Sequence, residues 1–140
     1  MNVEHCLEKD TDMNVRGDIN PIDPMQTILM VYDGAIKFLS RAVEYADAGD
    51  IKNKNIYINK AADIIVELNR CLDMEVGGEI SENLRAIYVF IGRLLVESFA
   101  TDKTWGLKES IKILSELKEG WTYVANNINK ATQPLTTFGN

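Results

Sequence analysis

Residues 51–72, IKNKNIYINKAADIIVELNRCL, decide the fold. On a helical wheel at about 100° per residue, Ile51, Ile58, Ala62, Ile65 and Leu72 fall together with Tyr57, Ala61, Ile64, Leu68 and Cys71. Their arc covers roughly 180°, against the roughly 100° stripe of a helix that faces one core. Asn69 interrupts it near one edge. Residues 79–100 repeat the pattern with Ile80, Leu84, Ile87, Tyr88, Ile91, Leu94, Leu95 and Phe99. Two readings stay open at this point. A thick core or a self-associating bundle hides the extra apolar surface, or another polypeptide covers it.

Working outward from this stretch, Gly49 closes the helix before it and Asp50 supplies an N-cap. The preceding helix is predicted from Pro24 to about Ala48, because Asp23-Pro24 pairs a capping side chain with a residue whose φ is already helical. Its main apolar face is Ile28, Val31, Tyr32, Ala35, Ile36, Leu39, Val43 and Ala46. Met30, Gly34, Phe38 and Tyr45 lie to one flank of it. A glycine in mid-helix costs about 1 kcal/mol against alanine, so Gly34 reads either as a close backbone approach or as a tolerated exposed position. Downstream, residues 73–78 read as a turn whose paired glycines allow unusual backbone angles. A third helix is predicted over about 79–100 and a fourth from Thr104 to about Asn127. The fourth carries Leu107, Ile111, Leu114, Leu117, Trp121 and Val124 inward, with Lys112, Glu116 and Glu119 solvated.

Short connections between helices of similar length force neighbours antiparallel. The expected fold is all-α, an up-down-up-down four-helix bundle spanning residues 24–127. Residues 1–23 read as a flexible acidic arm and 128–140 as a disordered tail. Apolar content of 46% and charged content of 26% suit one soluble globular domain. A formal charge of −6 with no basic run speaks against nucleic acid, whose binding rests on Lys and Arg at phosphates. No stretch approaches the ~18 apolar residues of a membrane span. Cys6 and Cys71 show no metal-ligand spacing, Cys71 reads as a buried free thiol, and a reducing cytoplasm is the expected compartment.

Reactive groups are sparse. His5, the single histidine, lies in the arm, which excludes a phosphotransfer bundle that must present its imidazole on a rigid helix. Glu-x-x-His pairs of a di-iron bundle are absent, as is any Ser/His/Asp or Cys/His set for nucleophilic catalysis. Gly77-Gly78 joins helix to helix and is no phosphate loop. No enzyme activity, metal or cofactor is expected.

Residues 24–39, PMQTILMVYDGAIKFL, resemble the first-helix signature of the flagellar export chaperone FliS family, a proline followed by an apolar turn and an aromatic-Asp-Gly triplet, here Tyr32-Asp33-Gly34. Residues 59–68, NKAADIIVEL, are similar to its second helix, residues 72–84, LDMEVGGEISENL, to its loop into the third, and residues 117–121, LKEGW, to its last. The arm departs from the family pattern, carrying Ile19, Pro21 and Ile22 where members usually have tyrosines.

The resemblance implies an antiparallel bundle that binds the C-terminal segment of newly made flagellin in the cytoplasm, holds it unpolymerised and delivers it to the flagellar type III export apparatus. The export gate and a co-chaperone are further implied partners. A helix-in-groove contact would use the wide faces directly. The expected client residues are Tyr57, Ile58, Ile64, Ile65 and Leu68 from the second helix, with Leu84, Tyr88, Ile91 and Leu95 from the third. Asp33 and Gly34 are expected to be structural. The rival expectation is a homodimer or larger self-associating bundle with no flagellin client.

Overall fold

The computed structural model describes residues 24–131, with side chains from 25 to 127. The expected arm, most of the expected tail and the Asp23 cap lie outside the described residues. Four helices follow in chain order: α1 (Pro24–Asp47), α2 (Ile51–Arg70), α3 (Met74–Ala100) and α4 (Trp105–Ala131). Each packs on its chain neighbour, and α4 closes the ring against α1, giving the antiparallel four-helix bundle read from the sequence.

The boundaries follow local chemistry. Gly49, at φ +76, ends α1 in the left-handed region that glycine enters without penalty. There the Asp50 N–H turns back to the Tyr45 carbonyl at 2.8 Å. The Asp50 carboxylate then accepts the Asn53 backbone N–H at 3.1 Å, satisfying a donor that the first turn of α2 would leave open. Asp73 does the same for α3, accepting from Glu75 and Val76. The segment expected as a turn up to Gly78 is itself a helical turn. Gly78, at φ +52 and ψ −124, sets it at an angle to the body of α3.

The core is built from the inward stripes. Ile28, Tyr32, Ala35 and Leu39 of α1 meet Ile58, Ala61, Ile65 and Leu68 of α2, Leu84, Tyr88, Ile91 and Leu95 of α3, and Leu107 and Leu114 of α4. Cys71 lies at its edge and corrects one expectation, for it is disulfide-bonded rather than a free thiol. Its partner lies outside the described residues. Disulfide pairing is set by the approach of two sulfurs in space, and wheel position carries no information about that.

At the α3–α4 crossing the two helices come close at Gly106. A Cβ on Gly106 would stand 2.9 Å from Ser98 Oγ and 3.1 Å from the Leu94 carbonyl oxygen, a backbone atom with little room to move. We predict that Gly106→Ala lowers stability by about 1–3 kcal/mol, as overpacking does, despite alanine's better helix propensity. A urea melt that shows a gain would mean that α3 slides freely on α4.

Candidate binding surface

Of the nine residues expected to meet a partner, the structure places seven in the core. Ile58, Ile65, Leu68, Leu84, Tyr88, Ile91 and Leu95 are all buried by contacts within the bundle. The physical reason is geometric. A bundle helix faces two adjacent helices and the one across the centre, so a wide apolar arc is largely used internally. Tyr57 and Ile64 are half-buried on the other edge of α2, along the seam with α1. There Tyr57 stacks on Tyr45 at 5.6 Å and meets Phe38 at 6.0 Å, with the Lys60 ammonium over both the Phe38 and Tyr57 rings.

Gly34 belongs to this seam. A Cβ there would meet only Ile64 Cδ1, at an ordinary 3.7 Å, so no close backbone approach requires the glycine. Asp33 faces the opposite way and accepts the Lys118 ammonium at 2.6 Å, tying α1 to α4. The pair sits in a cleft of about 430 Å³ that also takes in Ile36, Ser115, Glu119 and Thr122.

The apolar surface left over gathers around α3. Val89, Phe90 and Val96 are 44%, 45% and 69% exposed, and Ile80 is 64% exposed. Two contacts fix how these side chains are disposed. Arg85 donates to Asn69 Oδ1 at 3.2 Å, so that edge of α3 faces α2. Leu94 and Ser98 meet Gly106, so the other edge faces α4. Val89 and Val96 therefore flank the α2–α3 seam, where Val66 of α2, itself 62% exposed, is level with Val89 in the antiparallel register. Phe90 and Ile80 flank the α3–α4 seam, with Val124 of α4 toward its Ile80 end. Residues 79–100 thus present apolar side chains on both shoulders of one helix. Sequence reading missed Val66, Val89, Phe90 and Val96 because they fall on the polar side of the wheel. That misplacement was itself the available signal, since bundle packing gives no reason for such residues there.

Beneath this surface α3 is held by polar contacts. The Trp121 indole N–H donates to the Tyr32 hydroxyl at 2.9 Å. That hydroxyl in turn shares a hydrogen bond with the Tyr88 hydroxyl across the bundle. Burial pushes the Tyr88 phenol well above its ordinary range, helped by the Tyr32 hydroxyl beside it. Burial also raises Tyr32, against the lowering effect of its two hydrogen bonds. Both phenols hold their protons more tightly folded than unfolded. Their contribution to stability is therefore complete below the unfolded value of 10.0 and is lost as pH rises above it. Tyr88→Phe is expected to cost about 1–3 kcal/mol at neutral pH by stranding its partner. It should also flatten the loss of stability between about pH 10 and 12, measured by urea melts across that range.

Among the described residues no cluster of three or more His, Cys, Asp or Glu side chains could hold a metal ion, and no helix is long and apolar enough to cross a membrane. What the bundle offers is shaped apolar surface on a closed scaffold, the property of a helical protein-binding module. Comparison with known proteins gives that class its family. Residues 8–128 match the flagellar protein FliS family, and the chain belongs to it. It is 32% identical over 114 residues to the flagellar secretion chaperone FliS of Salmonella typhimurium, covering 81% of this chain and 84% of that one. Against flagellar secretion chaperone FliSB of Pseudomonas aeruginosa the identity is 30% over 121 residues, 86% and 96% of the two chains. Flagellar secretion chaperone FliS of Vibrio cholerae is 28% identical over 120 residues, 86% and 88% of the two. The family is one of chaperones.

Proposed function

We propose that this protein is a flagellin-specific export chaperone, which holds the C-terminal segment of newly made flagellin unpolymerised in the cytoplasm and delivers it to the flagellar type III export apparatus. The observation that carries this reading is the exposed apolar surface on both shoulders of α3, in a bundle whose core is already filled. Membership of a chaperone family makes a polypeptide the natural occupant. An amphipathic segment that is helical only when packed can lay its apolar face along such a seam. Val66, Val89, Phe90 and Val96 then make the first contact. Ile58, Ile65, Leu84, Tyr88, Ile91 and Leu95 lie behind them as the rigid floor, while Tyr57 and Ile64 are reachable only along the α1–α2 seam.

No bond is made or broken in this activity. Affinity comes from covering apolar area, opposed by the cost of ordering the client. Titration calorimetry with a disordered flagellin C-terminal peptide tests it. A 1:1 complex with a negative heat-capacity change is expected. Absence of any heat at micromolar concentrations, together with a stable homo-oligomer by light scattering, would replace the chaperone with a self-associating bundle.

A further inference from the structure

Cys71 is bonded to a second sulfur, and its place on α2 says where in the fold that bond lies. Tyr57, Ile64 and Cys71 are spaced seven residues apart, so they stand on one row of α2, along the seam with α1. A Cβ on Gly34 of α1 would meet Ile64 across that seam. In antiparallel helices this contact sets Thr27, seven residues earlier on α1, level with Cys71. Both are buried, each 6% exposed. The Cys71 backbone N–H donates to the Glu67 carbonyl at 3.0 Å, which holds it on the last turn of α2. Its sulfur therefore lies at the foot of the α1–α2 seam, one turn from Pro24 where α1 begins.

The sequence holds two cysteines, Cys6 and Cys71, and seventeen residues separate Cys6 from Pro24. Extended, that many residues span up to about 55 Å, against about 10 Å between the axes of neighbouring helices. The chain before α1 thus has length to spare to return to the foot of the seam. We propose that Cys6 is the partner of Cys71, and that the two form a reversible redox site, a dithiol in reducing surroundings and a disulfide in oxidising ones. The setting of the proposed function is the cytoplasm, where thiols are kept reduced and the disulfides that do form are usually transient and catalytic or redox-sensing.

The oxidant is a small-molecule disulfide such as oxidised glutathione. Cys71 is the buried member of the pair, so the Cys6 thiolate makes the first attack. It bonds to one glutathione sulfur and expels the other half as a thiolate. The Cys71 thiolate then attacks the Cys6 sulfur, the internal S–S bond forms, and the second glutathione leaves. Two protein thiols are oxidised while one oxidised glutathione is reduced to two thiols, and an excess of the reduced form runs the same steps backwards. Closing the bond encloses α1 and α2 in a covalent ring of residues 6–71. A ring of that size restricts the unfolded chain most, so the oxidised form resists unfolding better.

The test equilibrates the full chain in buffers rich in reduced or in oxidised glutathione, then labels free thiols under denaturing conditions with a maleimide that retards the chain on a gel. Two labels are expected from the reduced buffer and none from the oxidised one. Trypsin digestion of the oxidised protein, followed by mass spectrometry without reductant, should yield residues 1–9 joined to residues 71–85. The oxidised form should melt at least about 3 °C above the reduced form, and Cys6→Ser should melt at the lower temperature in either buffer. Glutathione adducts on separate cysteines, or residues 71–85 joined to a second copy of themselves, overturn the pairing. Two labels from the oxidised buffer overturn the site, none from the reduced buffer overturns its reversibility, and equal melting of the two forms overturns the bracing by the ring. No step uses a flagellin peptide, so a failed client titration and a failed pairing are read separately.

Discussion

Lys54→Ala is expected to lower the stability of the bundle by about 4 kcal/mol, the largest loss from any single substitution considered. Lys54 is fully buried, and its ammonium donates to the Ser98 carbonyl at 2.6 Å and the Thr101 carbonyl at 2.9 Å. Ser98 lies in the last turn of α3 and Thr101 is its extended C-cap, where helical geometry provides no intrahelical donors. The cation also sits at the end of the helix that carries partial negative charge. Alanine removes two charge-assisted hydrogen bonds and empties the space filled by the four-carbon stem. Lys54→Met keeps most of the volume and should recover about half of the loss, so the pair of variants separates packing from hydrogen bonding. Thermal and urea melts measure both. Equal stability of the methionine variant and the parent would mean that water reaches the α3 carbonyls as readily as the ammonium does.

Phe90→Asp is expected to weaken binding of a flagellin C-terminal peptide by at least about 30-fold, some 2 kcal/mol, while leaving the melt nearly unchanged. Phe90 is 45% exposed and does not contribute to the buried core, so its ring is available for an occupant. The new carboxylate would lose its water beneath an apolar stripe with no partner to replace it. Calorimetric titration reads the loss. Val89→Asp, on the opposite shoulder of α3, is the companion measurement. Unchanged affinity in both would move the client to the aromatic seam of Phe38, Tyr45 and Tyr57.

Much of the bundle was legible because its determinants are local. Gly49 and Asp50 mark a helix end and a helix start within two residues, and the structure uses both as read. The periodic stripes identified Leu84, Tyr88, Ile91 and Leu95 as a coherent face of α3, and they do form one. Periodicity could not say which neighbour that face meets. A residue that packs the bundle and one that packs a guest have the same hydropathy, so the wheel alone does not separate a client face from the inward stripe that the structure places in the core. Lys54 was illegible for the opposite reason. A lysine in a polar run reads as solvated, and only the tertiary approach of the end of α3 supplies the carbonyls that make its burial tolerable. Tyr88, Tyr32 and Trp121 likewise meet through three different helices, a coincidence that no spacing along the chain encodes.

The two indoles give the bundle a built-in optical division of labour. Trp105 is 63% exposed at the corner where α3 passes to α4, whereas Trp121 is half-buried with its N–H held by Tyr32. Acrylamide should therefore quench the redder part of the emission first. A guest settling beside the corner would shift that component to the blue, while melting of the core would release the other, so occupancy and unfolding can be followed in one unlabelled sample by the colour of its light.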